Sequence, residues 1–141
     1  MDIIREQPNT IPAPPDLFTG SAFVDVVSIG QGPSRLRALR VHFTPGARTA
    51  WHNHPLGQVL IVTDGAGRVQ SRGGSVEVIR AGDTVVAAPG EWHWHGAGPE
   101  SFMTHLALQE AGPDGTEASW DVHVSDSDYL GHRDARDRGP T

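Results

Sequence analysis

The stretch His52-Asn53-His54-Pro55-Leu56-Gly57-Gln58 decides the interpretation of this chain. Alternate residues of a β-strand project to one face, so His52 and His54 can present two imidazoles to one ion. Gln58 opens the next strand, and His93 follows a turn at Pro89-Gly90. Imidazoles with an amide oxygen suit Mn, Fe, Ni or Zn and leave coordination positions open. The pattern predicts a mononuclear metal site; the alternative is a barrel mouth that holds these polar groups without metal.

The residues around these candidate ligands resemble two motifs of the cupin family. Gly46, five residues, His52-x-His54, three residues, Gln58, six residues and Gly65 resemble the first motif. Gly82-Asp83, followed by Pro89-Gly90-Glu91-Trp92-His93, resembles the second. Two departures stand out. Gln58 occupies the position where cupins normally have Glu, and the second motif has adjacent Pro89 and Gly90 with no Asn after His93.

A narrower resemblance is to small bacterial cupins that include manganese-dependent hydroxynitrile lyases. It is carried by 45–52, 55–58, 89–91, 93–96 and 103–107. The resemblance implies an all-β, single-domain cupin, which is a double-stranded β-helix or jelly-roll barrel. It also implies one divalent ion, Mn²⁺ before Fe²⁺, Ni²⁺ or Zn²⁺, held by His52, His54, Gln58 and His93. The expected enzyme is a metal-dependent lyase that cleaves a 2-hydroxynitrile to an aldehyde and cyanide, or forms it.

The substitution of a carboxylate by Gln58 has a chemical consequence. Three neutral imidazoles and a neutral amide leave the charge of a divalent ion uncompensated by the protein. Such an ion favours anionic ligands and Lewis-acid chemistry, and the ferric state of an oxygenase is disfavoured. The alternative for Gln58 is an amide that lies near the metal without touching it.

Three further residues are candidates for the chemistry. On the stretch from Phe102 to Gln109, alternation places His105 and Gln109 on one face, so both reach the pocket if that face is the inner one. A histidine with a pKa near neutrality is suited to accept the substrate proton, and the resemblance favours His105 for this role. His95 shares a face with His93 and is expected to line the pocket. The alternative is that His105 is a structural histidine.

Composition sets the class of protein and excludes several functions. The chain has 141 residues, enough for one domain, and its 17 Gly and 11 Pro favour a turn-rich β-domain. A formal net charge of −6 argues against nucleic acid and anionic membranes as partners. Neither Cys nor Lys occurs, which excludes disulfides, thiolate chemistry and a Schiff-base lysine. No apolar run has the length of a signal peptide or a membrane span, so we expect a cytoplasmic protein.

The order of turns and apolar runs divides the chain into three parts. Residues 1–20 are predicted to form an extended proline-rich arm, residues 21–130 the barrel and residues 131–141 a polar, disordered tail. A helical turn is expected from Ser125 to Leu130. The predicted strands are 23–29, 36–44, 58–63, 68–72, 76–79, 84–88, 102–109 and 120–124.

Several functional alternatives remain open at this level. A metal-dependent dioxygenase or an isomerase of a small organic acid would use the same ligands, and a non-catalytic cupin would bind a small molecule without turnover. The expected partner is a small-molecule substrate. The proline-rich arm and short edge strands also predict a homo-oligomer, either a dimer or a tetramer.

Overall fold

The computed structural model describes residues 1–131, which form an all-β barrel with one short helix. Short β-branched runs between glycine and proline turns produce this architecture. The elements are β1 (Ile11–Pro12), β2 (Phe18–Thr19), β3 (Ala22–Ile29), β4 (Leu36–Phe43), β5 (Arg48–Thr49), β6 (His52–Asn53), β7 (Gln58–Ser71), β8 (Glu77–Arg80), β9 (Thr84–Ala87), β10 (His93–Ala97), β11 (Met103–Glu110), β12 (Ser119–Trp120) and α1 (Asp126–Leu130).

Two antiparallel sheets share strand β7. The first sheet has the order β1-β3-β4-β11-β7-β9. In the second sheet β8-β7-β10-β5-β2 are neighbours, and β6 pairs with both β10 and β12. The amino-terminal part of β7 pairs with β11 and β9, and the part from Ala66 pairs with β10 and β8. The shared strand curls the sheets into a single-domain, all-β barrel, as predicted.

The continuity of β7 corrects one expectation. Two strands, 58–63 and 68–72, were expected on either side of a turn at Thr63-Asp64-Gly65. A single strand is observed instead. Gly65 has a φ of 75°, which L side chains rarely adopt, and the register against β11 shifts next to it, between Thr104 and His105. The strand therefore continues through a bulge at Thr63 and the positive φ of Gly65, and does not end there.

The interior of the barrel is apolar at one end and polar at the other. Side chains from both sheets form the apolar part, which consists of Ala22, Val41, Phe43, Ala47, Val62, Ile79, Ala97 and Met103. On β11, Met103, His105, Ala107 and Gln109 are buried, while the intervening residues are less so. The face that alternation assigned to His105 and Gln109 is thus the inner one.

The residues before β3 and the helix α1 pack against the barrel. In the arm, β1 pairs with β3 and β2 pairs with β5. The predicted helical turn is present as α1, and Ser125 caps it by accepting a hydrogen bond from the Asp128 amide at 3.1 Å. The predicted strand 120–124 is shorter than expected, since only Ser119–Trp120 pairs with β6. The predicted tail lies, apart from Gly131, outside the described residues. Within residues 1–131 no helix has the length and apolar character needed to cross a membrane.

Candidate metal centre

Neighbouring strands bring the predicted histidines together. His52 on β6 lies directly opposite His93 on β10 in the antiparallel register, and their ring centroids are 4.5 Å apart. His95 follows two residues later on the same face of β10, 5.2 Å from the His52 ring. His54 completes the group, with ring centroids 5.1 Å from His52 and 5.8 Å from His93. All four side chains are buried.

The distances within this group allow three histidines to share an ion. The ligand atoms of His52, His93 and His95 lie within 4.8 Å of one another, which makes them a three-histidine site that could bind a metal. This set contains His95, whereas the motif spacing favoured His54. Both residues have a buried Nε2 atom without a hydrogen-bond partner. An unsatisfied buried nitrogen is costly unless a ligand occupies it, so both atoms fit an ion at the centre.

Backbone carbonyl groups define the tautomer of three of the imidazoles. The Nδ1 atoms of His52, His54 and His93 lie 2.9, 2.8 and 2.8 Å from the carbonyl oxygens of Ala50, Glu117 and Glu91. Because a carbonyl oxygen only accepts, each Nδ1 carries the proton and each Nε2 keeps its lone pair. This is the arrangement that metal-binding histidines use. The motif-predicted histidines therefore have the tautomer of ligands.

Gln58 faces His93 in an arrangement that a cation would stabilise. The Gln58 Oε1 atom lies 3.0 Å from the His93 Nε2 atom. Neither atom has a proton to offer, since the proton of His93 lies on Nδ1. The Gln58 amide group donates instead to Gln109 at 3.1 Å. Two acceptors this close repel each other, and a positive ion between them removes that repulsion. The donor set of the chain therefore fits a metal.

His95 and His105 form a buried pair next to this group. The His105 Nε2 atom lies 2.9 Å from the His95 Nδ1 atom, and the rings meet at 64° with 4.8 Å between centroids. The remaining ring nitrogens, Nε2 of His95 and Nδ1 of His105, have no hydrogen-bond partner. His95 belongs to the three-histidine group and His105 stands behind it. A proton that reaches His95 can therefore be stabilised by His105.

Burial keeps the imidazoles unprotonated. It lowers the pKa of His54 and His93, and it lowers the pKa of His52 and His95 well below the ordinary value, with neighbouring imidazoles adding to the effect in the latter two. The same desolvation lowers the pKa of His105 to about 4. The expected pKa near neutrality is therefore wrong for His105, because its side chain is wholly buried. His105 is uncharged at neutral pH but is a weak base.

A cavity of about 340 Å³ adjoins the histidines. Leu39, His54, Gln109, Glu117 and Trp120 are among its lining residues. The Trp120 ring stacks on the His52 ring at 4.5 Å and 24°. On β4, Leu39 borders the cavity, while Val41 and Phe43 belong to the core. A small molecule in this cavity would contact His54 and Gln109 directly, with His95 and His105 lying deeper.

A family model described as a cupin domain matches residues 39–104. The chain is also 52% identical over 116 residues to an (R)-mandelonitrile lyase from Granulicella tundricola, in an alignment that covers 82% of this chain and 88% of the relative. The chain belongs to the cupin family. The matched residues of this cupin include the three-histidine group and both of the motifs around it.

Solved structures agree with this assignment of the fold. A cupin-like protein from Thermotoga maritima is 36% identical and has a TM-score of 0.79, covering 91% of this cupin and 95% of that chain. A cupin-2 domain protein from Rhodospirillum rubrum has a TM-score of 0.68, with 92% and 83% of the two chains covered. Its identity of 15% supports the similarity of fold alone.

Two residues of this cupin site were missed by the sequence analysis. Glu117 accepts a hydrogen bond from Gln109 at 3.1 Å through its side chain, and its carbonyl oxygen holds His54. Trp120 covers His52. Both follow the turn at Gly112–Gly115, where the sequence has no periodicity, so only the pairing of β12 with β6 shows that they face the site. Pro113-Asp114-Gly115 favours a turn here, but these residues do not indicate which site the chain then approaches.

Proposed function

We propose that this cupin is a metal-dependent lyase that cleaves a 2-hydroxynitrile to an aldehyde and cyanide, or catalyses the reverse addition. The close approach of two acceptors, His93 Nε2 and Gln58 Oε1, carries the proposal for the metal. The name of the relative from Granulicella tundricola, an (R)-mandelonitrile lyase, supports the reaction class. The uncharged donor set is consistent with both, since it favours the binding of anions such as cyanide and alkoxides at the ion.

The proposed ligands are the Nε2 atoms of His52, His54 and His93 and the Oε1 atom of Gln58. The three imidazoles are oriented by backbone carbonyls, and the amide is oriented by Gln109. When bound, a divalent ion would supply Lewis acidity that stabilises negative charge on oxygen and on the cyanide group. Manganese is the proposed metal because of the resemblance to manganese-dependent lyases. His95 remains the nearest additional nitrogen donor.

The proposed proton acceptor is the pair of His95 and His105. A substrate hydroxyl group must lose its proton when the bond to the nitrile carbon breaks, and a positioned base contributes to that step. His95 offers a free Nε2 atom within the histidine group, and its Nδ1 atom contacts His105. His95 therefore receives the proton, and His105 orients the His95 ring and shares the charge. Gln109 lies at the cavity and can hydrogen-bond the substrate.

The cavity suits a small substrate with an apolar group. Its volume of about 340 Å³ lies at the lower end of the range for small-molecule sites. Leu39 and Trp120 provide an apolar surface, and Gln109 and Glu117 provide polar groups. This combination positions an aryl or alkyl group beside Leu39, with Gln109 and Glu117 near the polar end of the substrate.

Cleavage of mandelonitrile tests the proposal. The protein, stripped with a chelator, is assayed for release of benzaldehyde and cyanide without metal and after addition of Mn²⁺. We expect turnover only with Mn²⁺. His123→Ala is the matched control and should behave like the wild type. His123 lies outside the histidine cluster, and its Nδ1 atom is 3.2 Å from the Thr19 hydroxyl group. Equal turnover with and without metal would refute the metal requirement, and no turnover in the Mn²⁺-loaded protein would refute the lyase. Oxygen consumption, measured in parallel, would indicate a dioxygenase.

A further inference from the structure

Glu117 stands at the outer end of a line of hydrogen-bonded side chains that ends at Gln58. The Gln109 Nε2 atom donates to Glu117 Oε1 at 3.1 Å, and the Gln58 Nε2 atom donates to Gln109 Oε1 at 3.1 Å. Gln58 and Gln109 are directly opposite each other on β7 and β11. Both amides are buried, while Glu117 reaches the edge of the cavity. The line therefore runs from the cavity mouth to the histidine group.

The chemistry of these groups determines the direction of every hydrogen bond in the line. A carboxylate only accepts, so the NH₂ group of Gln109 must face Glu117. The carbonyl oxygen of Gln109 then faces Gln58 and can only accept, so the NH₂ group of Gln58 faces Gln109. The oxygen of Gln58 is left pointing at His93, 3.0 Å from its Nε2 atom. Without an acceptor at its end, two glutamines could adopt either direction, and one direction would turn an NH₂ group toward the metal.

We infer that Glu117 is a positioning residue that turns the Gln58 carbonyl oxygen toward the metal site by directing the amide of Gln109. The inference rests on the proposed metal site. It adds the residue that orients Gln58 as a ligand at the position where cupins normally have a carboxylate. A glutamate ligand has two equivalent oxygens and needs no such direction. Glutamine has one oxygen and one NH₂ group, so a neighbouring group must determine which of them faces the metal.

Glu117 is itself fixed in place. Its side chain lies 3.4 Å from the Arg37 guanidinium group, and the turn before it is closed by a hydrogen bond from the Thr116 amide to Asp114 at 2.9 Å. Its carbonyl oxygen accepts from His54 Nδ1 at 2.8 Å. One residue thus supports two proposed ligands, His54 through the main chain and Gln58 through the side chain. A side-chain substitution removes only the second role.

The first experiment measures Mn²⁺ affinity in the Glu117→Gln variant, using the electron paramagnetic resonance signal of free Mn²⁺. A glutamine can offer Gln109 either an oxygen or an NH₂ group, so the direction is no longer enforced. We expect binding about tenfold weaker, at the low end of what the loss of a partner to a metal ligand costs. Glu110→Gln is the matched control, since it removes the same charge from an exposed residue on the opposite face of β11, and its affinity should equal that of the wild type.

The second experiment repeats the substitution in the Gln58→Glu background, which separates direction from charge. With a carboxylate at position 58, Gln109 lies between two acceptors and its oxygen must face one of them. Glu117→Gln removes this conflict. We therefore expect that the substitution leaves Mn²⁺ affinity unchanged or raises it in this background, although it lowers affinity in the wild type. A non-additive cycle of this kind reports the coupling between the two positions.

The outcomes distinguish the inference from its premise. If the wild type binds no Mn²⁺, the proposed metal site fails. If the wild type binds Mn²⁺ and Glu117→Gln binds it equally well, the inference fails alone. Equal weakening in both backgrounds would assign Glu117 an electrostatic role and would also overturn it. Gln109→Met, which interrupts the line at its centre, is the second variant and should weaken Mn²⁺ binding at least as much as Glu117→Gln.

Discussion

At the scale of the residue, His52, His54 and His93 each have a main-chain acceptor for Nδ1, and the Nε2 atom of His54 is buried without a hydrogen-bond partner. We predict that His52→Ala or His54→Ala loses the metal and the activity while the barrel still folds. A missing imidazole leaves too few ligands, whereas the core is formed by apolar residues of both sheets. Elemental analysis and circular dichroism measure the two effects. Full metal occupancy in both variants would contradict the ligand assignment.

His105 is the residue for which activity and metal content should separate. We predict that His105→Ala keeps the metal but loses most turnover, by about 10²–10⁴-fold, because His95 loses the partner that stabilises the transferred proton. Its position behind His95 explains why metal content is spared. Metal content and rate are measured on the same preparation. A rate unchanged between pH 5 and 8 would make His105 a structural residue and leave His95 as the base.

Gln58→Glu tests the charge of the ligand set. We predict that the metal is retained or bound more tightly, since a negative oxygen replaces a neutral one of nearly the same size. Lyase turnover should nevertheless fall, and its pH profile should move toward alkaline pH, because the carboxylate partly neutralises the ion and weakens its pull on the substrate oxygen. Cleavage of mandelonitrile is compared across pH at matched metal occupancy. Identical profiles would show that Gln58 does not contact the metal.

At the scale of the element, β7 requires a glycine at position 65. A side chain at Gly65 would meet the Phe102 carbonyl, in addition to the strain of a φ of 75°. Gly73 has a φ of 84° but open space around it, so it is the matched control. We predict that Gly73→Ala lowers the free energy of unfolding by about 1 kcal/mol and that Gly65→Ala lowers it by about 1–3 kcal/mol more. Urea unfolding measures both, and equal losses would mean that β11 moves aside without cost.

The elements also show what could be predicted from sequence. Period-two alternation placed His105 and Gln109 on one face of their strand but did not show which face is the inner one; the burial pattern of β11 shows that theirs is. The motif spacing of His52, His54, Gln58 and His93 also predicted that these residues share one site, and their side chains do lie close together. Glu117 could not be found in this way. It lies in a loop, and its contacts with Gln109 and His54 depend on where the chain turns after β11.

At the scale of the whole molecule, burial of uncharged histidines makes stability depend on pH. In the metal-free protein the pKa of His105 is lowered to about 4 by burial, whereas the unfolded chain titrates at the ordinary 6.5. Between these values the unfolded chain binds more protons than the folded protein does. Burial of uncharged His105 therefore contributes about 3 kcal/mol to the free energy of unfolding above pH 6.5, and this contribution is lost as the pH falls to 4. Urea unfolding of the wild type and His105→Gln at several pH values measures the difference. Parallel curves would show that His105 does not contribute.

The assembly of the molecule remains a prediction. The arm that suggested a homo-oligomer pairs with β3 and β5 of its own chain, so this pairing no longer requires a partner. Several apolar side chains of the first sheet are exposed, including Ile29 and Leu36 on β3 and β4. Sedimentation equilibrium of the metal-loaded protein would give the number of subunits.

Protons can compete with the metal for the position between Gln58 and His93. In acid, a proton on His93 Nε2 would donate to Gln58 Oε1 across the same 3.0 Å and would satisfy both atoms without any ion. The barrel holds these two acceptors in place, so a proton can occupy the position that a metal ion would otherwise fill. Metal release on acidification would therefore be an exchange of a metal ion for a proton at the same pair of atoms.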